Sequence, residues 1–493
     1  MMAIFPFLSA LVGAFLILVC PVSLSRPLAL ILAILRLLVS CWFVFQCASG
    51  THFVALMGNW SAPFGITLVI DLLASLMLVA TDLILLSTLS YFIAEQSQIK
   101  EHPFRLPLLF FLLTGISLSL TTGDFFNLFV AFELMLLSSY SLMTLETHRE
   151  NLPDVFPYVG MNLLGSTFFV VGAAIIYDFT GTLNFATISQ FFAVHLDDPH
   201  LWVIVGLIIT VIGMKAGIFP LYFWLPNSYP ALPASLAAFY GGTLTKVGVY
   251  LLMRLFVTVL PHDLPTAHNL LLILSGFTML IGVFGAISKT HIKCILSYHI
   301  VSQVGYMVFA IALFHPLALA ASLYFTLHNM MVKTSLFLIG GIAEKCYRTD
   351  RLKEMGHLWG MIPLVGCAFL IQAFSLAGFP PFSGFFGKFW ILHEGLSHQQ
   401  YLLTVIALIT GWFTLYSMLK IWMGAFWGSQ KSAFNADTVP HCRLLVATSP
   451  LILATLAMSL FAPTAINLTQ RASETLFQRT PYIENVLNTK GRP

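Results

Sequence analysis

Residues 201–224 read LWVIVGLIITVIGMKAGIFPLYFW, an apolar run in which Lys215 is the only charged residue. A helix of about 20 apolar residues crosses the hydrocarbon layer of a membrane, which is roughly 30 Å thick. Such runs recur along the whole chain of 493 residues, of which 58% are hydrophobic and 9% are charged. Soluble domains carry roughly 25% charged residues. The sequence therefore predicts an all-α integral membrane protein with many spans.

This composition excludes several classes of protein. A soluble enzyme, a nucleic-acid-binding protein or a disordered scaffold would need far more polar surface than this chain has. Strands of an outer-membrane barrel would be about ten residues long and would alternate in polarity, which these runs do not. The seven cysteines, without any CxxC spacing, indicate neither a disulfide framework nor a zinc or iron–sulfur site.

Hydropathy over a window of about 19 residues predicts the membrane spans and their number. We place fourteen spans, near 3–20, 27–47, 64–93, 105–122, 124–143, 156–178, 201–224, 235–258, 268–287, 292–314, 317–342, 358–393, 402–427 and 444–466. Proline and glycine interrupt the stretches 201–224 and 358–393, so each of these is expected to be a broken helix.

The two broken stretches also indicate an internal duplication. Spans four to eight and nine to thirteen each make a unit of five helices, and the fourth helix of each unit is broken: KAGIFPLYFWLP at 215–226 and AGFPPFSGFFGKFW at 377–390. Successive units with an odd number of spans enter the membrane from opposite sides, which is typical of inverted repeats. The predicted segments are a three-helix segment at 1–104, two five-helix repeats at 105–260 and 261–430, and a last helix with a short tail at 431–493.

Loop charges predict the orientation of these spans. Connections after odd-numbered spans carry the basic residues Arg26, Lys100, Arg105, Arg149, Lys289, Lys293, Lys345, Arg348, Arg351, Lys353, Lys431 and Arg443. The other connections carry almost none. The loop 179–200 has Asp197 and Asp198 instead, and only Arg254 lies toward this poor side. By the positive-inside rule the odd connections are cytoplasmic, so both termini are expected outside.

A small set of ionisable residues falls inside the predicted spans. A charge at the centre of the bilayer costs at least about 2.5–3.5 kcal/mol, so each such residue needs a reason. The central set is Glu133, Lys215, Lys246, His328, Lys333 and Lys388. Nearer the helix ends, Arg36, Asp82 and Lys420 are expected to form local ion pairs or to snorkel toward the surface. Asp124 is expected to cap the N-terminus of its helix.

Each member of the central set has a structural and a functional interpretation. Glu133, midway along its helix, is either a protonated acid in a packed core or a proton-exchanging carboxylate. Lys215 lies five residues before Pro220, which opens the helix and frees carbonyl groups for water. There it either locks two helices as an ion pair or releases its proton to that water. Lys246 has the small residues Gly242 and Thr243 on its own face, which leaves room for a neighbouring helix or for water.

The second half of the chain holds the other members of the set. His328 and Lys333 are five residues apart, so their side chains diverge by roughly 140° around a helix. A lone histidine is usually a satisfied core residue, but beside a buried lysine it is also a candidate proton relay. Lys388 follows the break at 378–387. Non-helical backbone at membrane depth is either buried in protein or lines a wet cavity. Lys388 is thus a candidate for the far end of a hydrated path.

Motifs for bond chemistry are missing from the sequence. It contains no Walker or GxGxxG phosphate loop, no nucleophile elbow and no paired carboxylates of a metal site. Ionisable groups spaced across a membrane on broken helices favour proton movement instead. We expect no cofactor and no metal.

Five stretches carry a resemblance to a known family. They are TGDFFNLFVAFE, KAGIFPLYFWLPNSYPALPASLAAFYGGTLTKVGVY, ILSYHIVSQVGYM, LHNMMVKTSLFL and LAGFPPFSGFFGKFWIL. The chain resembles the antiporter-like subunits shared by multi-subunit (Mrp-type) Na+/H+ antiporters and the membrane arm of respiratory complex I. Its length is similar to that of the D-type subunits of such antiporters, since it lacks the long C-terminal region of the A-type subunits.

The resemblance implies a function and partners. It implies proton transfer through Glu133, which pairs with Lys215, and onward through Lys246, His328, Lys333 and Lys388. It also implies a secondary transporter rather than an enzyme, in a bacterial plasma membrane and surrounded by lipid, that assembles with other subunits and exchanges protons for Na+ or another monovalent cation. The alternative is a proton-pumping membrane-arm subunit of a respiratory NADH:quinone oxidoreductase or a membrane-bound hydrogenase.

Overall fold

The computed structural model describes residues 2–95, 102–147, 149–195, 199–429 and 439–487. The first half of the chain forms ten α-helices: α1 Phe5–Val19, α2 Val22–Ala48, α3 Leu72–Glu95, α4 Arg105–Thr121, α5 Phe125–Glu146, α6 Leu152–Thr180, α7 Phe185–Phe192, α8 His200–Ala216, α9 Leu225–Ser228 and α10 Ala234–Arg254. A π-helical turn, Leu255–Val259, continues α10.

The second half continues in the same way. Its helices are α11 Pro265–Ser288, α12 Ile292–Ala312, α13 Pro316–Tyr347, α14 Leu358–Met361, α15 Pro363–Ala377, α16 Ser383–Ser397, α17 Tyr401–Ile421, α18 His441–Leu460, α19 Ala462–Phe477 and α20 Arg479–Leu487. α13 lies at the centre, where it packs against α10, α12, α16, α18 and α19. Almost all of its side chains are buried.

The helices confirm a multi-pass membrane protein. Among the described residues, ten helical segments are long and apolar enough to cross a membrane, and α4, α8 and α15 are shorter apolar helices. The predicted breaks lie where expected, since α8 ends at Ala216 and the stretch 358–393 divides into α14, α15 and α16. Asp124 caps α5 as predicted, because its Oδ1 accepts a hydrogen bond of 2.9 Å from the Asn127 amide. The count of fourteen spans stays a prediction.

A small β-hairpin is the main departure from an all-helical chain. β1 (Phe53–Leu56) pairs antiparallel with β2 (Thr67–Ile70), so α3 begins at Leu72 rather than at residue 64. The amide of Gly123 donates to the carbonyl of Thr67 at 2.9 Å, which fixes the hairpin against the turn between α4 and α5. The strands are short and apolar, so hydropathy merged β2 with the following helix.

We distinguish two faces of the bundle by the connections and ion pairs that they hold. We call one the basic face, where Arg105 pairs with Glu146, Lys293 with Glu344 and Lys345 with Glu95, at 3.0, 2.9 and 2.7 Å. The other is the tail face, which holds the hairpin, the end of α10, and the helices α19 and α20. Here Arg254, the exception in the loop charges, is buried and binds both carboxylate oxygens of Asp71 at 2.6 and 2.7 Å. Lys100, Asp197, Asp198, Lys431 and the side chain of Arg149 lie outside the described residues.

The C-terminal region is a helical strap rather than a short tail. Ser473 of α19 donates to the carbonyl of Pro316 in the first turn of α13, at 2.6 Å. Arg479 of α20 donates to the carbonyl of Val257 at 2.9 Å and also to that of Leu260. The hydropathy profile did not predict α19 and α20, because both helices carry polar residues along their length.

Arg36 and Asp82, which were each expected to form a local ion pair or to snorkel, form an ion pair with each other. Arg36 of α2 lies 2.9 Å from Asp82 of α3, and both side chains are buried. We expect Asp82→Ala to lower the stability of the folded chain by about 3–5 kcal/mol, because it leaves a buried guanidinium without its counter-ion.

This prediction is checked by thermal unfolding in detergent. The matched control is the double variant Arg36→Met, Asp82→Leu, which removes both charges and should unfold close to the wild-type temperature. Equal stability of the single variant and the wild type would contradict it.

Candidate functional site

The central ionisable residues lie inside the helix bundle. Lys246, His328 and Lys333 are fully buried, and Lys215 and Lys388 are nearly so. Glu133 is partly buried. These side chains belong to α5, α8, α10, α13 and α16, so they are brought together by packing and not by sequence. Since their charged ends do not reach the bundle surface, none of the lysines is a snorkelling residue.

Lys215 occupies the end of the first broken helix. Its Nζ donates a 3.0 Å hydrogen bond to Oδ1 of Asn162 on α6, and it lies 5.2 Å from the ring centre of Phe132. α8 stops one residue later at Ala216, because Gly217 takes the left-handed conformation at φ +78°. Trp224, beyond the break, donates from Nε1 to the free carbonyl of Met214 at 3.1 Å. Specific hydrogen bonds therefore hold the break in place, and the buried amine of Lys215 lies at its edge.

Glu133 and Lys215 are neighbours that do not touch. Both lie in the described part of the chain, and no ion pair joins them, although the two charges interact electrostatically. Oε1 of Glu133 is buried and has no hydrogen-bond partner among the described residues. The amine is instead held by Asn162, a residue that sequence reasoning missed because an amide carries no charge.

Lys246 lies where α10 meets both α8 and α13. Its Nζ donates to the carbonyl of Gly241 in its own helix at 2.6 Å. Gly248 packs directly on Ala216, so closely that a Cβ at Gly248 would lie 2.6 Å from the Ala216 nitrogen. On the other side, Gly242 lets α10 approach Thr334 of α13. The room that Gly242 provides is thus filled by a helix, one of the two predicted occupants.

His328 and Lys333 point to different neighbours of α13, as their spacing predicts. Lys333 Nζ lies 3.4 Å from the carbonyl of Leu296 on α12. His328 Nδ1 lies 2.9 Å from the hydroxyl of Ser383, the first residue of α16, while its Nε2 has no described partner. Asn329, beside them, is buried with neither side-chain oxygen nor nitrogen hydrogen-bonded to a described residue.

Lys388 lies in α16, just beyond the second break. Its Nζ donates to the carbonyl of Ala377, the last residue of α15, at 3.0 Å, and it lies 4.9 Å from the ring centre of Tyr306. It lines a cleft of about 380 Å³ between α12, α15, α16 and α17. The rim of this cleft includes the exposed side chains of Phe389 and Trp412. Lys388 therefore lies between the buried interior and a surface opening.

A second histidine, His299 on α12, belongs to the same group. It is fully buried, its Nε2 contacts the hydroxyl of Ser417, and its Nδ1 has no described partner. Its ring interacts electrostatically with both Lys333 and Lys388. The sequence placed it within the tenth span, in ILSYHIVSQVGYM, but we singled out only the histidine next to a lysine.

Known proteins resemble this chain in sequence and in fold. A family model described as "NADH:quinone oxidoreductase/Mrp antiporter, TM" matches residues 122–414. A protein of Alkalihalophilus pseudofirmus, named as the D-type subunit of a Na(+)/H(+) antiporter, is 40% identical over 478 residues, which cover 97% of each chain.

Two solved structures have the same fold. One is a chain of the Mrp complex from Dietzia sp. DQ12-45-1b, which is 28% identical with a TM-score of 0.88 over 99% of both chains. The other is a chain of an archaeal membrane-bound sulfane sulfur reductase, a respiratory complex, which is 24% identical with a TM-score of 0.89 over 98% of this chain and 99% of that one. The family model spans more than half of the chain and the antiporter relative nearly all of it. The chain therefore belongs to the family of NADH:quinone oxidoreductase/Mrp antiporter membrane subunits.

Proposed function

We propose that this chain is the proton-conducting, antiporter-like subunit of a multi-subunit monovalent cation/H+ antiporter, and so a transporter subunit rather than an enzyme. One observation carries the proposal: ionisable residues, all buried except the partly buried Glu133, follow one another across α5, α8, α10, α13 and α16, and no two of them form an ion pair among the described residues. A purely structural set would be expected to neutralise its charges in pairs, as Arg36 and Asp82 do.

The path runs from Glu133 and Lys215 through Lys246, then Lys333 and His328, to Lys388. Lys333 lies near enough to Lys246 and Lys388, and His328 near enough to Lys388, for their positive charges to repel one another. Each amine hydrogen-bonds a backbone carbonyl or an amide oxygen, an acceptor that holds the group whether or not it is protonated. A lysine held in this way can gain and lose a proton without breaking an ion pair.

Water would join these groups. Several buried polar atoms on the helices of the path have no hydrogen-bond partner in the part of the chain that the structure describes, namely Glu133 Oε1, His299 Nδ1, Gln303 Oε1, His328 Nε2 and both polar atoms of the Asn329 side chain. An unsatisfied buried polar atom costs about 1–3 kcal/mol, whereas a bound water molecule removes that cost. The row of such atoms therefore favours a hydrated chain between the ionisable side chains.

The architecture of the proposal comprises fourteen spans, with inverted repeats at 105–260 and 261–430. The matching positions of the two breaks support it: each broken helix stops at a left-handed glycine, Gly217 or Gly378, and each has a buried lysine within two or three turns of the break. The segment 1–104 and the region 431–493 flank the repeats. The basic face is taken as cytoplasmic by the positive-inside rule, so both termini lie outside.

Other subunits are expected to be required for coupled exchange. Along the proposed path, the described residues include no cluster of negatively charged groups that would bind a dehydrated Na+, because the central set is mostly cationic. The relative from Alkalihalophilus pseudofirmus is named as one subunit of an antiporter, and the Dietzia chain is part of a complex. Protons are thus assigned to this chain, and the bilayer and neighbouring subunits supply its surroundings.

The test compares the chain alone with the assembled complex in proteoliposomes. We expect Na+-dependent collapse of an imposed ΔpH with the complex and none with the isolated chain. Robust exchange by the isolated chain would contradict the proposal that coupled exchange requires the other subunits. The alternative, a subunit of a redox-driven respiratory complex, predicts that the chain co-purifies with quinone-reducing or hydrogenase activity and that ΔpH forms only when that redox substrate is added.

A further inference from the structure

Three metal-ligating side chains meet on the tail face, away from the path. His315 lies in the turn between α12 and α13, and Glu394 and His398 lie at the end of α16. One ligand atom of each lies within 4.8 Å of the other two. His315 Nδ1 is 3.0 Å from Glu394 Oε2, and His398 Nδ1 is 4.0 Å from the same oxygen. Nothing in the transport path uses these residues.

These distances fit the ligand sphere of a transition metal. In a tetrahedral zinc site the metal–ligand bonds are about 2.0–2.2 Å, which places the ligand atoms roughly 3.3–3.5 Å apart. The measured separations of 3.0 and 4.0 Å lie on either side of that value. A metal ion could therefore enter without change of the helices, if the two histidine rings turn and each exchanges its present hydrogen bond to Glu394 for a bond to the metal.

The surroundings orient the ligands and leave them accessible. The Glu394 side chain is only 3% exposed, whereas those of His315 and His398 are 43% and 34% exposed. His393 Nδ1 lies 3.3 Å from the second carboxylate oxygen, Oε1, and holds the orientation of Glu394 from outside the cluster. His398 Nδ1 also lies 2.9 Å from the backbone carbonyl of Glu394, an acceptor that it has to leave before Nδ1 can bind a metal.

The donor set selects the class of ion. Two imidazoles and one carboxylate suit Zn2+, Cu2+ and related transition metals, whereas Ca2+, Mg2+ and other hard cations prefer oxygen ligands alone. The cluster is therefore not a site for the transported cation. We propose that His315, Glu394 and His398 form a transition-metal site that joins the end of α16 to the turn between α12 and α13.

This site has a consequence for transport that rests on the proposed function. Glu394 lies six residues after Lys388 on the same helix. An ion that ties the end of α16 to the start of α13 restrains the helix on which Lys388 moves its proton. We therefore expect a bound metal to slow transport.

Metal binding is tested on the purified complex with Zn2+ by calorimetry, and with Co2+ by its visible absorption, which reports tetrahedral coordination. We expect His315→Gln or His398→Gln to remove one equivalent of tight Zn2+ binding, with an affinity loss of about a hundredfold or more, since even residues that only orient a ligand cost 10–100-fold. His398 is partly exposed, so its replacement leaves the fold intact even if Glu394→Gln does not.

The matched control is His291→Gln, which alters another histidine–carboxylate pair, 2.8 Å from Asp350 on the basic face, that has no second histidine. It should bind Zn2+ like the wild type. Equal binding by the wild type and His398→Gln would overturn the site. In vesicles with Zn2+ on both sides, transport should fall in the wild type and persist in His398→Gln. Loss of binding without any difference in zinc sensitivity would overturn only the restraint on α16, and the binding result stands independently of whether the complex transports Na+.

Discussion

Replacement of Lys215 by alanine is expected to abolish cation-dependent ΔpH change while the complex still assembles. Lys215 is the buried amine at the edge of the first break, where it is held by Asn162 and interacts with Glu133 without an ion pair. Its removal interrupts the proposed path between Glu133 and Lys246. Lys215→Arg should fail almost as completely, because arginine keeps its proton at any physiological pH.

The failure of the arginine variant separates proton release from mere positive charge. A structural role that needs only a cation beside Glu133 would be restored by arginine. The measurement is ΔpH in everted vesicles, with the amount of complex checked on native gels. The control is Arg351→Ala, which removes one partner of the exposed pair with Glu354 on the basic face, and such pairs contribute about 0–1 kcal/mol. Wild-type exchange by either Lys215 variant, at normal complex abundance, would remove this residue from the path.

Lys388→Met is expected to lose most of the coupled transport. The side chain of methionine preserves length and packing against Tyr306 but cannot be protonated, so the path would end at His328 without reaching the cleft. Loss of the hydrogen bond to the Ala377 carbonyl is the structural cost of this change.

Its control is Lys420→Met, on α17. The Lys420 amine donates to the carbonyls of Ile287 and Lys289 at the end of α11, at 2.8 and 2.6 Å, and does not face the path. We expect this variant to transport at close to the wild-type rate with at most a small loss of stability. Equal activity of the two variants would remove the argument for a path through α16. A Lys388→Met chain that fails to assemble would favour a structural role for Lys388.

Hydropathy and charge predicted most of the helices and the position of the buried set. Long apolar runs leave few alternatives to a membrane helix, and a lysine inside such a run is conspicuous whatever its neighbours are. The two breaks were equally accessible, because Pro220, Pro380 and Pro381 cannot continue a helix.

Other features depend on signals that a single sequence does not contain. The hairpin strands β1 and β2 are as apolar as a membrane helix, so only the pairing of Phe53 with Ile70 distinguishes them. Asn162 and His299 carry no charge in a count at pH 7, and their importance arises from contacts with distant helices. Whether Glu133 and Lys215 form an ion pair depends on how α5, α6 and α8 pack, which residue spacing cannot resolve.

The strap on the tail face sets an order on how the molecule is completed. α19 holds the first turn of α13 through Ser473, and α20 holds the end of α10 through Arg479, so the strap adds a second connection between two helices that already pack against each other. Ribosomes release α10 and α13 into the membrane long before residues 462–487 emerge. The contacts of this strap with α10 and α13 can therefore form only after both of those helices have been synthesised.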